Sequence, residues 1–135
     1  LDEAGQIESL ARRQGLVNVM LIAPTTGQLR RERIASHATG FIYYISVAGI
    51  TGERTELPAA TIDAVAELRA KTDTPICVGF GISSPQAVAQ VCKVADGAIV
   101  GSAIVHRLTD NADKPLEELV ATAGQFVADL AEPIE

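Results

Sequence analysis

Apolar and polar positions along this chain fall into blocks whose period switches repeatedly between that of a helix and that of a strand. Leu1 to Gln14 sets Ile7, Leu10 and Ala11 on one face and stops at Gly15, which predicts a helix. Leu16 to Ala23 (LVNVMLIA) is a short apolar run closed by Pro24 and predicts the first strand, after which Thr25 and Thr26 can cap a helix from Gln28 to His37. Phe41 to Ser46 (FIYYIS) predicts the second strand. Pro58 opens a third helix to about Thr72 with Ile62, Val65 and Leu68 inward. Pro75 to Phe80 is the third strand, and Ser84 followed by Pro85 is a strong start for a helix to about Val94. Ala98 to Val100, starting at Asp96 or Gly97, is the fourth strand. A short helix follows from Gly101-Ser102 to Leu108, and an amphipathic one from Pro115 to Ala131. The pattern is α-(βα)4 with an extra short helix after the last strand. Strands joined through helices in this way run parallel with right-handed crossovers.

Two strands end in glycine: Val78-Gly79-Phe80-Gly81 and Ile99-Val100-Gly101-Ser102. A glycine at a strand end leaves backbone N–H groups open to close approach, and a following helix N-terminus adds its own donors and its positive dipole end. Side by side, two such units make a phosphate cup of the kind found after the last two strands of many (β/α)8 barrels. The plainer alternative is that these glycines serve only tight turns. The connection from Val47 to Leu57, with Gly49, Thr51 and Gly52, exceeds a minimal βα loop, and long loops of this kind tend to carry function.

The 135 residues suffice for one domain with a real core, about half of a complete (β/α)8 barrel of roughly 250 residues. The net charge of −6 disfavours a nucleic-acid or anionic-membrane surface but not a phosphate ligand, which backbone amides bind without lysine. Cys77 and Cys92, the two cysteines, fall in apolar surroundings and read as buried thiols; no Cys/His cluster suggests a metal, and no cofactor is implied. There is no signal-peptide pattern and no run of ~18 apolar residues, so a cytoplasmic protein is expected. His37 and His106 lack the neighbours of a catalytic triad, and Glu53, Arg54 and Glu56 read as solvated loop charges.

Four segments together resemble the tryptophan synthase alpha chain family: Leu21-Ile22-Ala23-Pro24-Thr25-Thr26, then Gly40 to Gly52 (GFIYYISVAGITG), then Val78 to Ser83 (VGFGIS), then Asp96 to Val105 (DGAIVGSAIV). The resemblance runs from Asp2 to about Ala131. It implies the C-terminal half of a TIM barrel, strands five to eight, with residues 1–135 as a single half-barrel domain. The activity it implies is a lyase cleaving indole-3-glycerol phosphate to indole and glyceraldehyde 3-phosphate in tryptophan biosynthesis. The family's catalytic glutamate and aspartate lie on and after its second strand, a region without counterpart here, so the resemblance implies no catalytic residue in this chain and an inactive isolated piece. Ribulose-phosphate epimerases and histidine-pathway barrels share similar cups, but neither accounts for the FIYYISVAGITG string as well. A phosphate-binding half-barrel without chemistry is the other reading.

By the resemblance, phosphate is held by Gly52, Gly81, Gly101 and Ser102; Phe80 lines the indole pocket; Tyr43 faces the family's aspartate; and Thr51 lies on the closing loop as a supporting residue. Val47 stands where many members carry an arginine that ties that loop down. Core packing for Tyr43 and Phe80, and an ordinary polar loop for Thr51, are the alternatives from the residues alone. A phosphorylated small molecule and, for the intact enzyme, a tryptophan synthase beta chain are the implied partners. Four strands cannot close a barrel. An open apolar inner face, with Val19 or Met20, Tyr43 or Tyr44, and Val78, is therefore expected to self-associate or to be covered by an N-terminal half-barrel.

Overall fold

Four short parallel strands carry the architecture seen in the computed structural model, which describes residues 4–46, 57–79 and 81–134. In chain order the elements are α1 (Ala4–Arg13), β1 (Met20–Ile22), α2 (Gln28–His37), β2 (Ile42–Ile45), α3 (Ala59–Arg69), β3 (Ile76–Gly79), α4 (Pro85–Val91), β4 (Gly97–Ile99), α5 (Ser102–Thr109) and α6 (Leu116–Ala131), with a 3-10 turn at Glu132–Ile134. The sheet order is β1-β2-β3-β4, every pair parallel. That is the predicted α-(βα)4 arrangement with its extra helix.

Register decides which side chains share a face. Leu21 stands opposite Tyr43, Tyr43 opposite Cys77, and Cys77 opposite Gly97. Successive residues of a strand point to opposite faces. Ile22, Ile42, Tyr44, Ile76 and Val78 therefore turn to the helices, where all five are completely buried. Val65, Leu68, Val88, Val91, Phe126 and Leu130 close the core over them. The other face carries Leu21, Tyr43, Ile45, Cys77, Gly79 and Ile99, and Leu21 remains 57% exposed. Of the two candidates for the open face, Tyr43 is on it and Tyr44 is not. Val78 was expected there too, but it pairs in register with Tyr44 and lies in the core.

Other expectations are corrected by particular contacts. The first strand is three residues rather than eight, because Asn18 is tied to the end of α2: its N–H donates to Thr39 Oγ1 (2.7 Å) and its carboxamide to the His37 carbonyl (3.3 Å). Neither Thr25 nor Thr26 caps α2; Gly27 holds the N-cap position, and Thr26 Oγ1 accepts from the Ala23 N–H (3.1 Å) within the loop. On α3 the inward set is Thr61, Ala64, Val65 and Leu68, while Ile62 is exposed. Cys77 and Cys92 are half-buried rather than buried. Ser84 does cap α4, its Oγ accepting from the Ala87 N–H (3.2 Å), with Pro85 in the first turn. On α1, Glu8 Oε1 comes within 2.7 Å of His37 Nδ1, an ion-pair distance at which the oxygen still lacks a hydrogen bond of regular geometry.

Candidate functional site

The C-terminal ends of the strands bring three βα connections to one rim. After β1 the connection is held by Arg31, whose Nε donates to the Thr26 carbonyl (2.7 Å) and whose Nη2 donates to the Pro24 carbonyl (2.9 Å). After β3 comes Gly81, at φ +75°, a left-handed backbone that L side chains adopt only with strain. After β4 comes Gly101, the N-cap of α5, followed by Ser102 as the first helical residue. Gly81, Gly101 and Ser102 are all exposed. Gly52, Thr51 and Phe80 lie outside the described residues, as do Val47, Glu53, Arg54 and Glu56.

Gly81 and Gly101 differ in what the fold asks of them. Gly81 is demanded by its turn. Gly101 has a negative φ of −122°, and a Cβ placed there meets nothing within 4 Å among the described residues. The sign of its φ does not call for glycine at 101, and no described neighbour does. No side chain caps α5, and the first helix-closing bonds start at Ile104 (3.0 Å) and Val105 (3.2 Å), both to the Gly101 carbonyl. The Ser102 and Ala103 N–H groups therefore make no hydrogen bond among the described residues, as expected of a helix's first turn. They lie in the first turn at the positive end of the helix dipole, an arrangement that attracts an anion.

Below the rim, Tyr43 lies across the open face with its phenol over Gly79. The sequence shows this glycine only within the strand-end motif; its contact with Tyr43 crosses between strands and leaves no local signal. Arg31 was missed, since its partners are backbone carbonyls that leave no motif. Ser46, at the end of β2, is a buried polar residue whose N–H donates to the Gly79 carbonyl (3.0 Å).

Cys77 also reaches the open face. Burial pushes its thiol pKa up, and the charges of Asp96 and Cys92 push it further, so the nucleophilic thiolate is disfavoured. Asp96 itself is engaged at the opposite end of the strands: its Oδ1 pairs with Arg69 Nη2 (2.8 Å) and its Oδ2 accepts from the Ile76 N–H (2.9 Å). His106 is exposed on α5. Among the described residues, no group of three or more His, Cys, Asp or Glu side chains could hold a metal ion, and no helix is long and apolar enough to cross a membrane.

A four-stranded parallel sheet in sequential order, helices on one face and glycine-bearing connections at its C-terminal rim, defines an α/β protein of the (β/α)8-barrel type, here spanning half of such a barrel. The chain belongs to the tryptophan synthase alpha chain family, whose model matches residues 1–132. It is 44% identical to the tryptophan synthase alpha chain of Rhodopirellula baltica, over 100% of this chain and 51% of that protein. It is 42% identical to that of Chloroflexus aggregans, over 100% and 49%. A mutant tryptophan synthase alpha-subunit from the hyperthermophile Pyrococcus furiosus superposes with a TM-score of 0.80 at 27% identity, over 98% of this chain and 51% of that one. Tryptophan synthase from M. tuberculosis in an aminoacrylate-bound form gives 0.75 at 30% identity, over 99% and 46%. The chain thus spans about half the length of the curated relatives it matches.

Proposed function

We propose that this chain is the phosphate-binding, C-terminal half-barrel of an indole-3-glycerol-phosphate lyase, residues 1–135 forming a single half-barrel domain. The phosphate is held by backbone N–H groups at Gly52, Gly81 and Gly101-Ser102. Tyr43 and Phe80 line the space below it, and Thr51 belongs to the loop that closes above. The observation that carries this reading is Gly101, a glycine at negative φ that no described neighbour requires, beside amides at the start of α5 left unbonded among the described residues. A side chain at 101 would stand where an anion approaches those amides.

Cleavage of indole-3-glycerol phosphate to indole and glyceraldehyde 3-phosphate needs proton transfer at the reacting centre. A positioned acid or base typically contributes ~10²–10⁴-fold. The inner-face residues on the four strands include no carboxylate, consistent with the acid/base pair of the complete enzyme coming from outside this chain. The chain alone is inactive, and activity requires the complementary half of the barrel. A beta chain is the protein partner of the assembled enzyme, which works in the cytoplasm on a phosphorylated small molecule, without nucleic acid or membrane.

Backbone amide shifts followed by NMR while inorganic phosphate is added test the site. Movement at Gly81, Gly101 and Ser102, absent with chloride at equal ionic strength and lost in Gly101→Val, is the expected result. Unmoved amides at all three positions refute the phosphate site. Indole release by the purified chain, proportional to protein and abolished by Gly101→Trp, would contradict the predicted inactivity.

A further inference from the structure

The short helix that carries the Ser102 and Ala103 amides is attached at two points, one toward each end. Ala103 and Ile104 rest against the core just after Gly101, where no side-chain cap fixes the helix. A single contact of that kind lets a helix pivot about it. The second attachment lies a turn further on, at Arg107. Its guanidinium carbon stands 4.1 Å from the centroid of the Phe126 ring on α6. That is well inside the ~6 Å within which a cation is drawn to an aromatic face. Residues 103 and 104 are four and three positions before 107, so both attachments lie on one stripe of α5.

The two partners in this contact differ in mobility. Phe126 is buried in the core, so its ring is a fixed platform. Arg107 is exposed, and among the described residues no carboxylate pairs with it. Its backbone is held too, since its carbonyl accepts from the Asn111 carboxamide (2.8 Å). α5 has only eight residues, and a helix of that length keeps its place through tertiary contacts rather than by itself.

We propose that Arg107 is a positioning residue for phosphate binding. By stacking on Phe126 it sets the direction of α5, and so aims the Ser102 and Ala103 amides at the anion. What the ring adds is direction, which a charge alone does not supply. The inference rests on the reading of Gly101-Ser102 as part of the phosphate site.

Phosphate titrations of the 135-residue chain, followed at the Gly101 and Ser102 amides, test it. The chains compared are wild type, Arg107→Gln, Arg107→Lys, Phe126→Leu and the double variant Arg107→Gln with Phe126→Leu. Ring-current shifts of the Arg107 side-chain protons, lost in Phe126→Leu, report the contact with no phosphate present. Arg107→Gln and Phe126→Leu are each expected to weaken phosphate about two- to fivefold, the range of an exposed cation–π contact. An unpinned helix offers the binding geometry for a smaller fraction of the time. The double variant binds no more weakly than the weaker single variant, since both remove one contact. Arg107→Lys keeps the charge but not the planar stack and recovers only part of the loss. Urea midpoints on the same samples separate this effect from global stability. Arg107→Gln and Arg107→Lys, at an exposed position, decide the matter even where Phe126→Leu does not fold. Wild-type affinity in Arg107→Gln, full recovery in Arg107→Lys, or additive losses in the double variant overturn the inference and leave the phosphate site standing. Wild-type amides indifferent to phosphate overturn the phosphate site and the inference with it.

Discussion

The phenol of Tyr43 occupies the space that any side chain at residue 79 would need: a Cβ built on Gly79 falls 2.8 Å from Tyr43 Cζ, closer still to the hydroxyl, and 3.1 Å from Ile99 Cβ. Real Cβ atoms do not approach so near, so an alanine at 79 forces the ring off the sheet or the strands apart. Overpacking of this kind costs about 1–3 kcal/mol. Gly79→Ala is therefore expected to lower the urea midpoint, and Tyr43→Ala in the same chain to recover part of the loss. A double-mutant cycle reads the coupling directly; additive effects would show that the ring and the glycine do not depend on each other.

The two rim glycines separate turn chemistry from ligand chemistry. Gly81→Ala forces a Cβ into φ +75° and is expected to cost about 1 kcal/mol of stability. Gly101→Ala places its Cβ in open space at a negative φ and is expected to leave thermal unfolding nearly unchanged. If Gly101 serves phosphate, larger side chains at 101 weaken phosphate binding progressively while stability holds. Parallel melting curves and phosphate titrations of Gly101→Ala, Gly101→Val and Gly81→Ala distinguish these behaviours. Loss of stability at 101 comparable to that at 81 would return Gly101 to the role of a turn residue.

Strand number, strand direction and helix order were legible in the sequence because each apolar β-branched run is bounded by glycine, proline or a capping residue. The facing of β2 was not. FIYYIS offers two adjacent tyrosines, and its one small polar residue, Ser46, is itself buried and so marks no outside; only pairing with β1 and β3 assigns Tyr43 to the open face and Tyr44 to the core. Likewise α3 is rich in alanine and has weak amphipathic contrast, so Thr61 could turn inward and Ile62 outward without any local cue. Gly81 and Gly101 were visible as strand-end motifs. Gly79 was visible only as part of that motif, since its contact with Tyr43 runs through a neighbouring strand, and Arg31 was not visible because it acts through main-chain oxygens.

Arg31 is expected to be a positioning residue for the rim. Its guanidinium donates to the Pro24 and Thr26 carbonyls and so fixes the connection after β1. Hydrogen bonds from a charged donor contribute about 1.5–3 kcal/mol each at most, and less where water competes. Arg31→Ala should lower stability by about 1–2 kcal/mol and speed amide exchange between residues 23 and 27. Arg31→Lys, lacking the planar fork, should recover little of either. Unaltered exchange in that segment would mean that the Thr26 side chain, which accepts from the Ala23 N–H, holds the loop unaided.

Tyr44 places a completely buried hydroxyl against the helices, and that oxygen has no hydrogen-bond partner among the described residues. Burial raises its pKa above the ordinary 10.0, with the Arg31 charge pulling weakly the other way. The folded chain therefore keeps this proton to a higher pH than the unfolded chain does. As pH climbs past 10, the unfolded state releases the proton first and stability falls; below that value the contribution is complete. Tyr44→Phe removes an unpaired polar atom and keeps the ring, so it should raise stability at neutral pH by about 1 kcal/mol and flatten the alkaline decline. Urea midpoints of both chains, measured near neutrality and again above pH 10, decide the matter. A less stable phenylalanine variant with an unchanged alkaline slope would mean that the hydroxyl is satisfied in solution and that its ionisation is not coupled to folding.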